Sequence, residues 1–207
     1  MKLHQLMIHS LSVAGVLTAM AVAVQPAVAS DNDTDYATFA GGCFWCIEAD
    51  LEKVEGVLSV TSGYTGGKVA DPTYKKVSAG KTGHTEAVRV VFNPQVISYE
   101  KLLDIFWRNI DPTVSDRQFC DVGNQYRSGV FFHNEAQRMA AEASRTELEK
   151  TKPFSDPIVT EISAATAFYP AETSHQDYYK KNPLRYSYYR KGCGRDRRLA
   201  ELWGEKK

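Results

Sequence analysis

The chain has 207 residues and carries 25 Lys and Arg against 25 Asp and Glu, so its formal net charge at pH 7 is 0. This balance excludes the basic surface by which proteins bind nucleic acid or anionic membranes. The length suffices for one core but is short for two.

Residues 1–29 have the pattern of a secretory signal peptide. Lys2 provides a basic start, residues 11–24 form an apolar run, and small residues at 27–29 suit a cleavage site. The run spans 14 residues, whereas a membrane span needs roughly 20, so an uncleaved anchor is the weaker alternative. We therefore predict an exported protein, periplasmic or otherwise outside the cytoplasm, with a flexible linker at 30–35.

The remaining residues, 36–207, are predicted to form one α+β domain. Its first part alternates strands with helices: a strand at 36–40, a helix at 47–54, a strand at 57–64, a short helix at 74–79, a strand at 86–92 and a helix at 99–110.

A polar and irregular stretch follows, and after it the pattern predicts a strand at 128–133, a helix at 134–150 and a strand at 158–163. Strands interspersed with two well-patterned helices favour a mixed sheet with helices packed against it. The rest of the chain is rich in Tyr, Gly and Arg. It is predicted to form a long irregular C-terminal tail, with short helices only near His175 and Leu199.

The segment Gly-Gly-Cys-Phe-Trp-Cys at 41–46 is the most informative stretch of the chain. Its two glycines allow a sharp turn between a strand and a helix, which places Cys43 at or near the helix N-terminus. Unpaired N–H groups and the helix dipole favour an anion there, so we expect the pKa of the Cys43 thiol to fall toward neutrality. Phe44 and Trp45 suit the wall of an apolar pocket, and Cys46 is close enough in sequence to form a disulfide. These features predict redox chemistry at sulfur.

Other uses of the four cysteines are open. In an exported chain they would by default form two structural disulfides. A zinc site would unite Cys43 and Cys46 with Cys120 and Cys193, but the last two stand alone, unlike the paired motifs of structural zinc sites. A thioredoxin-like exchanger also has a cysteine pair at a helix start, although no βαβ frame is recognisable here. Taken alone, Cys120 is predicted to be a small buried filler, and Cys193, between two glycines, a mobile thiol able to reach Cys43.

A second set of candidates is polar. Glu86 begins a predicted strand and shares its face with apolar residues, where desolvation would raise the pKa of its carboxyl and make it a usable general acid. The pattern alone nevertheless favours a strand-end glutamate that reaches solvent. Tyr64 and Tyr126 are phenols suited to holding a substrate oxygen, but ordinary packing is the default for both. Asp121 would either orient a neighbour or form a turn.

Seven segments of the chain together resemble the A-type peptide methionine sulfoxide reductases, and the resemblance spans essentially the whole of the predicted domain. The matching segments are GGCFWC at 41–46, SGYTGG at 62–67, PTYKKVSAGKTGHTEAVRV at 72–90, SYEKLLDIFW at 98–107, FCDVGNQYRSGVFFH at 119–133, FYPAETSHQDYYKKNP at 168–183 and CGRDRRLAELWG at 193–204.

The resemblance implies a role for each candidate. Cys43 is implied to be the nucleophile that attacks the sulfoxide sulfur, and Glu86 the acid that protonates the sulfoxide oxygen. Tyr64 and Tyr126 are implied to bind that oxygen, with Asp121 in the same site. Attack leaves Cys43 as a sulfenic acid, which a second thiol converts to a disulfide that an external dithiol reduces.

The resemblance further implies that Phe44 and Trp45 form the wall that receives the substrate methyl group. It implies a single-domain, two-layer α/β sandwich around a mixed sheet, and no bound metal or cofactor. Proteins or peptides with methionine S-sulfoxide are the implied substrates, and a thioredoxin-like dithiol is the implied electron donor. A monomer is the default, with no nucleic-acid partner and no membrane attachment after cleavage.

The identity of the resolving cysteine is open at this point. Many members of the family have glycine at the position of Cys46 and keep their resolving cysteines in the tail, whereas this chain has both Cys46 and Cys193. The short loop favours Cys46 as first resolver, with Cys193 passing the disulfide outward or resolving directly. The signal peptide predicts repair of oxidised methionines in envelope proteins, with a membrane-fed thioredoxin-like donor.

Overall fold

The computed structural model of the protein describes residues 34–204. The predicted signal peptide, 1–29, and residues 30–33 of the predicted linker lie outside the described residues. The first strand begins at Asp35, so the end of the predicted linker belongs to the sheet. None of the helices between residues 34 and 204 combines the length and apolarity that a membrane span requires.

Eight strands, seven α-helices and one 3-10 helix make up the described chain. In order they are β1 (Asp35–Gly41), α1 (Phe44–Leu51), β2 (Val57–Thr65), α2 (Tyr74–Ser78), β3 (Thr85–Phe92), α3 (Tyr99–Trp107), β4 (Arg117–Gln118), β5 (Asp121–Val122), the 3-10 helix (Asn124–Tyr126), β6 (Ser128–Phe132), α4 (Glu135–Thr151), β7 (Glu161–Ala164), β8 (Tyr169–Pro170), α5 (Tyr178–Lys181), α6 (Pro183–Cys193) and α7 (Arg195–Trp203).

Six of the strands form one sheet in the order β7-β6-β1-β3-β2-β8. Its neighbours are antiparallel except β6 and β7, which run parallel, so the sheet is mixed as predicted. The main hydrophobic core lies between one face of this sheet and helices α1, α3 and α4. A smaller apolar cluster of Ala40, Ala87 and Phe131 lies apart from it, packed with Phe168 from the segment before β8. The predicted two-layer α/β sandwich is confirmed.

The helices begin where the sequence offers caps. The Ser98 hydroxyl accepts the Lys101 N–H at the start of α3, and the Asn134 side chain accepts the Gln137 N–H at the start of α4. Helix α1 begins at Phe44, three residues before the predicted start, so the aromatic pair and Cys46 belong to its first turn.

The predicted irregular tail is wrong in one respect, because residues Pro183–Cys193 form helix α6. The short helices predicted near His175 and Leu199 correspond to α5 and α7. Pro183 stands at the first position of α6, where a missing N–H costs nothing, and Gly194 in the left-handed conformation separates α6 from α7. Helix α6 has no buried residue and therefore lacks the apolar stripe by which sequence patterns reveal helices.

Candidate active site

The turn between β1 and α1 places Cys43 at the N-cap of α1, as the two glycines predicted. Gly42 has a φ of +82°, a left-handed conformation that favours glycine. A Cβ at Gly42 would also lie 2.5 Å from Cβ of Gln118, so no side chain fits without movement. The carbonyl of Cys43 accepts the N–H of Cys46 at 3.1 Å, which closes the first turn of the helix.

Cys43 lines a small cavity of about 60 Å³. Six of its eight lining residues were predicted from the sequence, and two, Tyr74 and Tyr189, were not. The lining consists of Cys43, Phe44, Trp45, Tyr74, Glu86, Asp121, Tyr126 and Tyr189. A much larger groove of about 960 Å³ between α3 and α4 contains no cysteine. The chemistry-bearing residues therefore converge on a cavity that admits only the end of a side chain.

The two thiols of α1 differ in acidity, and the difference corrects the expectation for Cys43. Burial, followed by the hydrogen bond and negative charge of Cys46, raises the pKa of Cys43 above its ordinary value. The pKa of Cys46 is instead lowered to about 7, chiefly by the hydrogen bond with Cys43 and then by the charges of Arg195 and Arg190. In the resting dithiol the first negative charge therefore resides on Cys46, with the Cys43 thiol donating to it.

Arg195 is the buried cation beside this thiol pair. Its side chain is only 2% exposed and donates hydrogen bonds to the carbonyl oxygens of Gly41, at 3.2 Å, and Asn109, at 2.6 Å. The guanidinium lies over the ring of Phe119, at 4.5 Å from the centroid. Nothing in the sequence pattern marked this arginine, because a charged residue at the start of a polar helix is normally exposed.

Glu86 is buried on the central strand β3, where the pattern alone had favoured exposure to solvent. Burial raises the pKa of its carboxyl to about 8, and the N–H of Phe44, which donates to Oε2 at 3.1 Å, opposes this only in part. At neutral pH the carboxyl therefore retains its proton inside the cavity, the state that a general acid requires.

Three tyrosines line the cavity, namely Tyr126, Tyr74 and Tyr189, and Tyr64 lies outside this lining. Tyr64 is completely buried, and its hydroxyl donates to Glu172 at 2.8 Å rather than lining the cavity. Tyr64 on β2 is paired with Glu86 on β3, so the backbones of the two residues are close. Its ring, however, packs against Phe44 from outside the cavity. Burial raises the pKa of Tyr74 to about 12 and also raises that of Tyr126, so both keep a proton to donate.

Phe44 and Trp45 form an aromatic wall of the cavity, and the tail holds the wall in place. Phe44 is 1% exposed. The Trp45 indole N–H donates to Nδ1 of His175 at 3.2 Å, and its ring stacks on Tyr178 with centroids 3.7 Å apart. The indole therefore has little freedom to leave the cavity.

Asp121 lines the cavity and is hydrogen-bonded to Tyr189, a residue that the sequence analysis did not single out. The Tyr189 hydroxyl donates to Oδ2 of Asp121 at 2.6 Å and also lies within hydrogen-bond reach of the Cys43 sulfur. Burial is the main cause that raises the pKa of Asp121 above its ordinary value. No pattern distinguished Tyr189 among eleven tyrosines, several of them crowded into the tail.

The remaining two cysteines are joined in a disulfide, Cys120–Cys193, while Cys43 and Cys46 are free thiols. The prediction of Cys120 as a buried filler is wrong, because the residue is exposed on the loop before β5. Cys193 is correspondingly held by Cys120 instead of being a free thiol. Between residues 34 and 204 the potential metal ligands that cluster are Cys120, Asp121 and Cys193, and the sulfurs of the two cysteines are bonded to each other. The four cysteines thus form two pairs and do not surround a common centre.

Comparisons with known proteins agree with this geometry. The profile of the family described as peptide methionine sulfoxide reductase matches residues 35–207. A peptide methionine sulfoxide reductase MsrA of Bacillus licheniformis is 51% identical over 172 residues, which are 83% of this chain and 95% of that protein. The reduced form of Mxr1 from Saccharomyces cerevisiae aligns with a TM-score of 0.69 and 35% identity, over 73% of this chain and 87% of the yeast chain. Mxr1 in complex with Trx2 aligns with a TM-score of 0.51 and 24% identity, over 72% and 86% of the two chains, a likeness of fold alone.

Proposed function

The chain belongs to the peptide methionine sulfoxide reductase family, and on that premise we propose that Cys43 reduces methionine sulfoxide in the small cavity at the start of α1. The activity that comes with the family is that of a peptide-methionine (S)-S-oxide reductase, which repairs oxidised methionine. The observation that carries the residue assignment is the convergence of a buried thiol and a protonated Glu86 on one cavity.

Reduction begins with two proton movements. The sulfoxide oxygen is a poor leaving group until it is protonated, and Glu86 supplies that proton. As Cys43 attacks the sulfoxide sulfur, its own proton passes to the Cys46 thiolate, the group with which it already shares a hydrogen bond. The products of this step are methionine and a sulfenic acid on Cys43.

Substrate orientation follows from the lining of the cavity. The phenols of Tyr126 and Tyr74 have protons to donate to the sulfoxide oxygen beside Glu86, whereas Phe44 and Trp45 offer an apolar surface to the methyl group. The polar donors orient the sulfoxide oxygen and the apolar wall orients the methyl group, which supports selection of one sulfoxide epimer.

Resolution falls to Cys46. It adjoins Cys43 in the first turn of α1, where the charges of Arg195 and Arg190 favour its thiolate. Its sulfur displaces hydroxide from the Cys43 sulfenic acid, the hydroxide leaves as water with the proton that Cys46 received from Cys43, and a Cys43–Cys46 disulfide forms. The Cys120–Cys193 disulfide withdraws Cys193 from direct resolution. Mass spectrometry after one turnover should find Cys43 joined to Cys46, and a Cys43–Cys193 link alone would contradict this order.

The electron donor is proposed to be a thioredoxin-like dithiol. The yeast relative Mxr1 has been solved in complex with Trx2, which supports a donor of this class. The leader at 1–29 supports an exported enzyme that repairs proteins of the cell envelope, supplied by a membrane-fed donor of the same class. Fractionation of cells expressing the full chain should give a mature protein that begins near residue 30, and an intact cytoplasmic chain would contradict export.

The primary test compares the two epimers of a peptide methionine sulfoxide with dithiothreitol as reductant. Wild type should reduce the S form and leave the R form, and Cys43→Ser should lose the activity. Retained activity in Cys43→Ser would refute the assignment of the nucleophile. Catalysis of insulin disulfide cleavage in place of sulfoxide reduction would favour a disulfide exchanger.

A further inference from the structure

Met139 is an exposed methionine on helix α4. The sequence has four methionines, at positions 1, 7, 20 and 139, and the first three lie in the predicted leader. Met139 is therefore the sole methionine of residues 30–207, the chain that cleavage of the leader would leave. It is 59% exposed. One thioether of this chain is thus open to an oxidant in solvent.

The cysteine sulfurs of the described chain are protected in two different ways. Cys43 and Cys46 are buried, and Cys120 and Cys193 are bonded to each other. A thioether carries no titratable proton, so access rather than acidity governs its oxidation to the sulfoxide. Exposure therefore marks Met139 among the sulfur-containing residues as the one that oxidants in solvent reach directly.

The surroundings of Met139 leave its sulfur uncovered. The residue lines the wide groove of about 960 Å³ between α3 and α4. The α4 residues that share this lining within about one turn of it are Ala136, Ala140 and Ala143. Their methyl groups are too short to cover the longer thioether, which agrees with its exposure. An incoming molecule can therefore meet this sulfur from the groove.

The fold places Met139 away from the cavity of its own chain. Gln137, two residues earlier on α4, donates to the carbonyl of Tyr36 near the start of β1, at 2.6 Å. Cys43 instead follows the opposite end of β1, which is Gly41. A strand advances about 3.3 Å per residue, so Tyr36 and Gly41 lie roughly 16 Å apart. The linings of the groove and the cavity, as the described chain forms them, have no residue in common. Reduction of a Met139 sulfoxide therefore requires the Cys43 of another molecule.

We propose that Met139 is a site of reversible oxidation in this enzyme and that a second copy of the chain reduces its S-sulfoxide. Hydrogen peroxide supplies the oxygen atom. A lone pair of the thioether sulfur attacks one peroxide oxygen, the oxygen–oxygen bond breaks, and hydroxide leaves as water with the proton of the transferred oxygen. The sulfur is thereby oxidised by two electrons and the peroxide is reduced.

The return step rests on the proposed function of Cys43. The oxygen passes to the Cys43 sulfur of the second copy as a sulfenic acid, the thioether is restored, and the Cys43–Cys46 disulfide that follows is reduced by dithiothreitol. The cavity admits only the end of a side chain, and an exposed methionine on a helix surface presents that end.

Selection of one epimer makes this repair incomplete. Peroxide attacks either lone pair of the sulfur and so forms both epimers of the sulfoxide, whereas one enzyme serves each epimer. The S form at Met139 should therefore be removed, and the R form should persist.

Peptide mapping of a chain that cannot repair itself tests the oxidation. The variant with Cys43→Ser and Cys46→Ser lacks the inner thiols, and its thermal melting relative to wild type verifies the fold; Cys43→Ser alone replaces it if the double variant melts early. After hydrogen peroxide and then catalase, the tryptic peptide 139–145 should carry one additional oxygen atom. The same variant with Met139→Leu should gain none there. An unmodified Met139, under conditions that oxidise a free methionine peptide, would overturn the site.

Repair by a second copy is tested by adding a catalytic amount of wild type and dithiothreitol to the oxidised, folded variant. The oxidised fraction of Met139 should fall by about half and then stay constant, at an initial rate proportional to the amount of wild type. A peptide methionine S-sulfoxide in the same tube is the control. A Met139 sulfoxide that stays intact while the peptide is reduced would overturn the proposal, as would a loss that dithiothreitol produces alone. If neither substrate is reduced, the proposed function itself is refuted.

Discussion

At the scale of single residues, the protein environment shifts the pKa values of Glu86 and Cys46, so that the first serves as an acid and the second as a base. Burial raises the pKa of Glu86 to about 8, while a hydrogen bond from Cys43 lowers that of Cys46 to about 7. A carboxylic acid thus keeps its proton beside a thiolate, the reverse of the order of their usual acidities. Neighbouring groups with displaced pKa values are the arrangement that acid–base catalysis at neutral pH requires.

The alkaline limb of the pH profile is predicted to belong to Glu86. Because the protonated carboxyl is the active form, kcat/KM should fall tenfold per unit as the pH rises above about 8. Glu86→Gln should lower the rate by about 10²- to 10⁴-fold and abolish this limb. Kinetics with the peptide S-sulfoxide between pH 6 and 10 provide the measurement, and an unchanged alkaline limb in the variant would place the acid elsewhere.

The variants Tyr74→Phe and Tyr64→Phe are a matched pair that tests which phenol binds the sulfoxide oxygen. Tyr74→Phe removes a donor from the cavity and should lower kcat/KM by about tenfold, or about 1.4 kcal/mol, with little effect on stability. Tyr64→Phe removes the bond to Glu172 and should lower the free energy of unfolding by about 1 kcal/mol with activity largely retained. Activity assays and urea unfolding of both variants separate the two effects. A larger loss of activity in Tyr64→Phe would restore the original assignment.

At the scale of elements, the junction of β1 and α1 determines where the nucleophile stands. Gly42→Ala should lower the free energy of unfolding by about 2–4 kcal/mol, because it adds a left-handed penalty to a clash with Gln118. Gly192→Ala is the matched control, since a Cβ there has no atom within 4 Å and α6 gains a better helix former. Urea unfolding checks both, and equal stability of the two variants would exclude strain at the junction.

The same elements show what the sequence could predict. Strands β1, β2, β3 and β6 and helices α3 and α4 were predicted to within a few residues, because apolar periodicity and side-chain caps are local signals. Helix α6 was not predicted, since it buries nothing and is held by long-range contacts, whereas the short helix predicted near Leu199 corresponds to α7. The place of Cys43 at a helix start could be inferred from local pattern, whereas the burial of Glu86, the positions of Tyr74 and Tyr189 and the partner of Cys120 depend on tertiary structure.

At the scale of the whole molecule, the C-terminal tail after β8 is held over the active site by contacts with several other elements. Arg195 bonds to the end of β1 through the Gly41 carbonyl, and Arg190 pairs with Asp50 of α1 at 3.0 Å. His175 holds the indole of the aromatic wall. The segment that looks least structured in sequence therefore completes the cavity and determines the charges around the thiols.

The Cys120–Cys193 disulfide adds a covalent fastening with a predictable effect on stability. It links residues 73 apart in sequence, and closing a loop of that length in the unfolded chain is worth about 4 kcal/mol by the chain-entropy relation. The double variant with Cys120→Ser and Cys193→Ser should be less stable than oxidised wild type by up to about that amount. Urea unfolding with and without dithiothreitol makes the comparison internal, since reductant should shift wild type toward the variant and leave the variant unmoved. Equal stability of all four samples would mean that the pair is not bonded in solution, whereas the expected shift would mean that the disulfide itself helps to hold the tail over the site it completes.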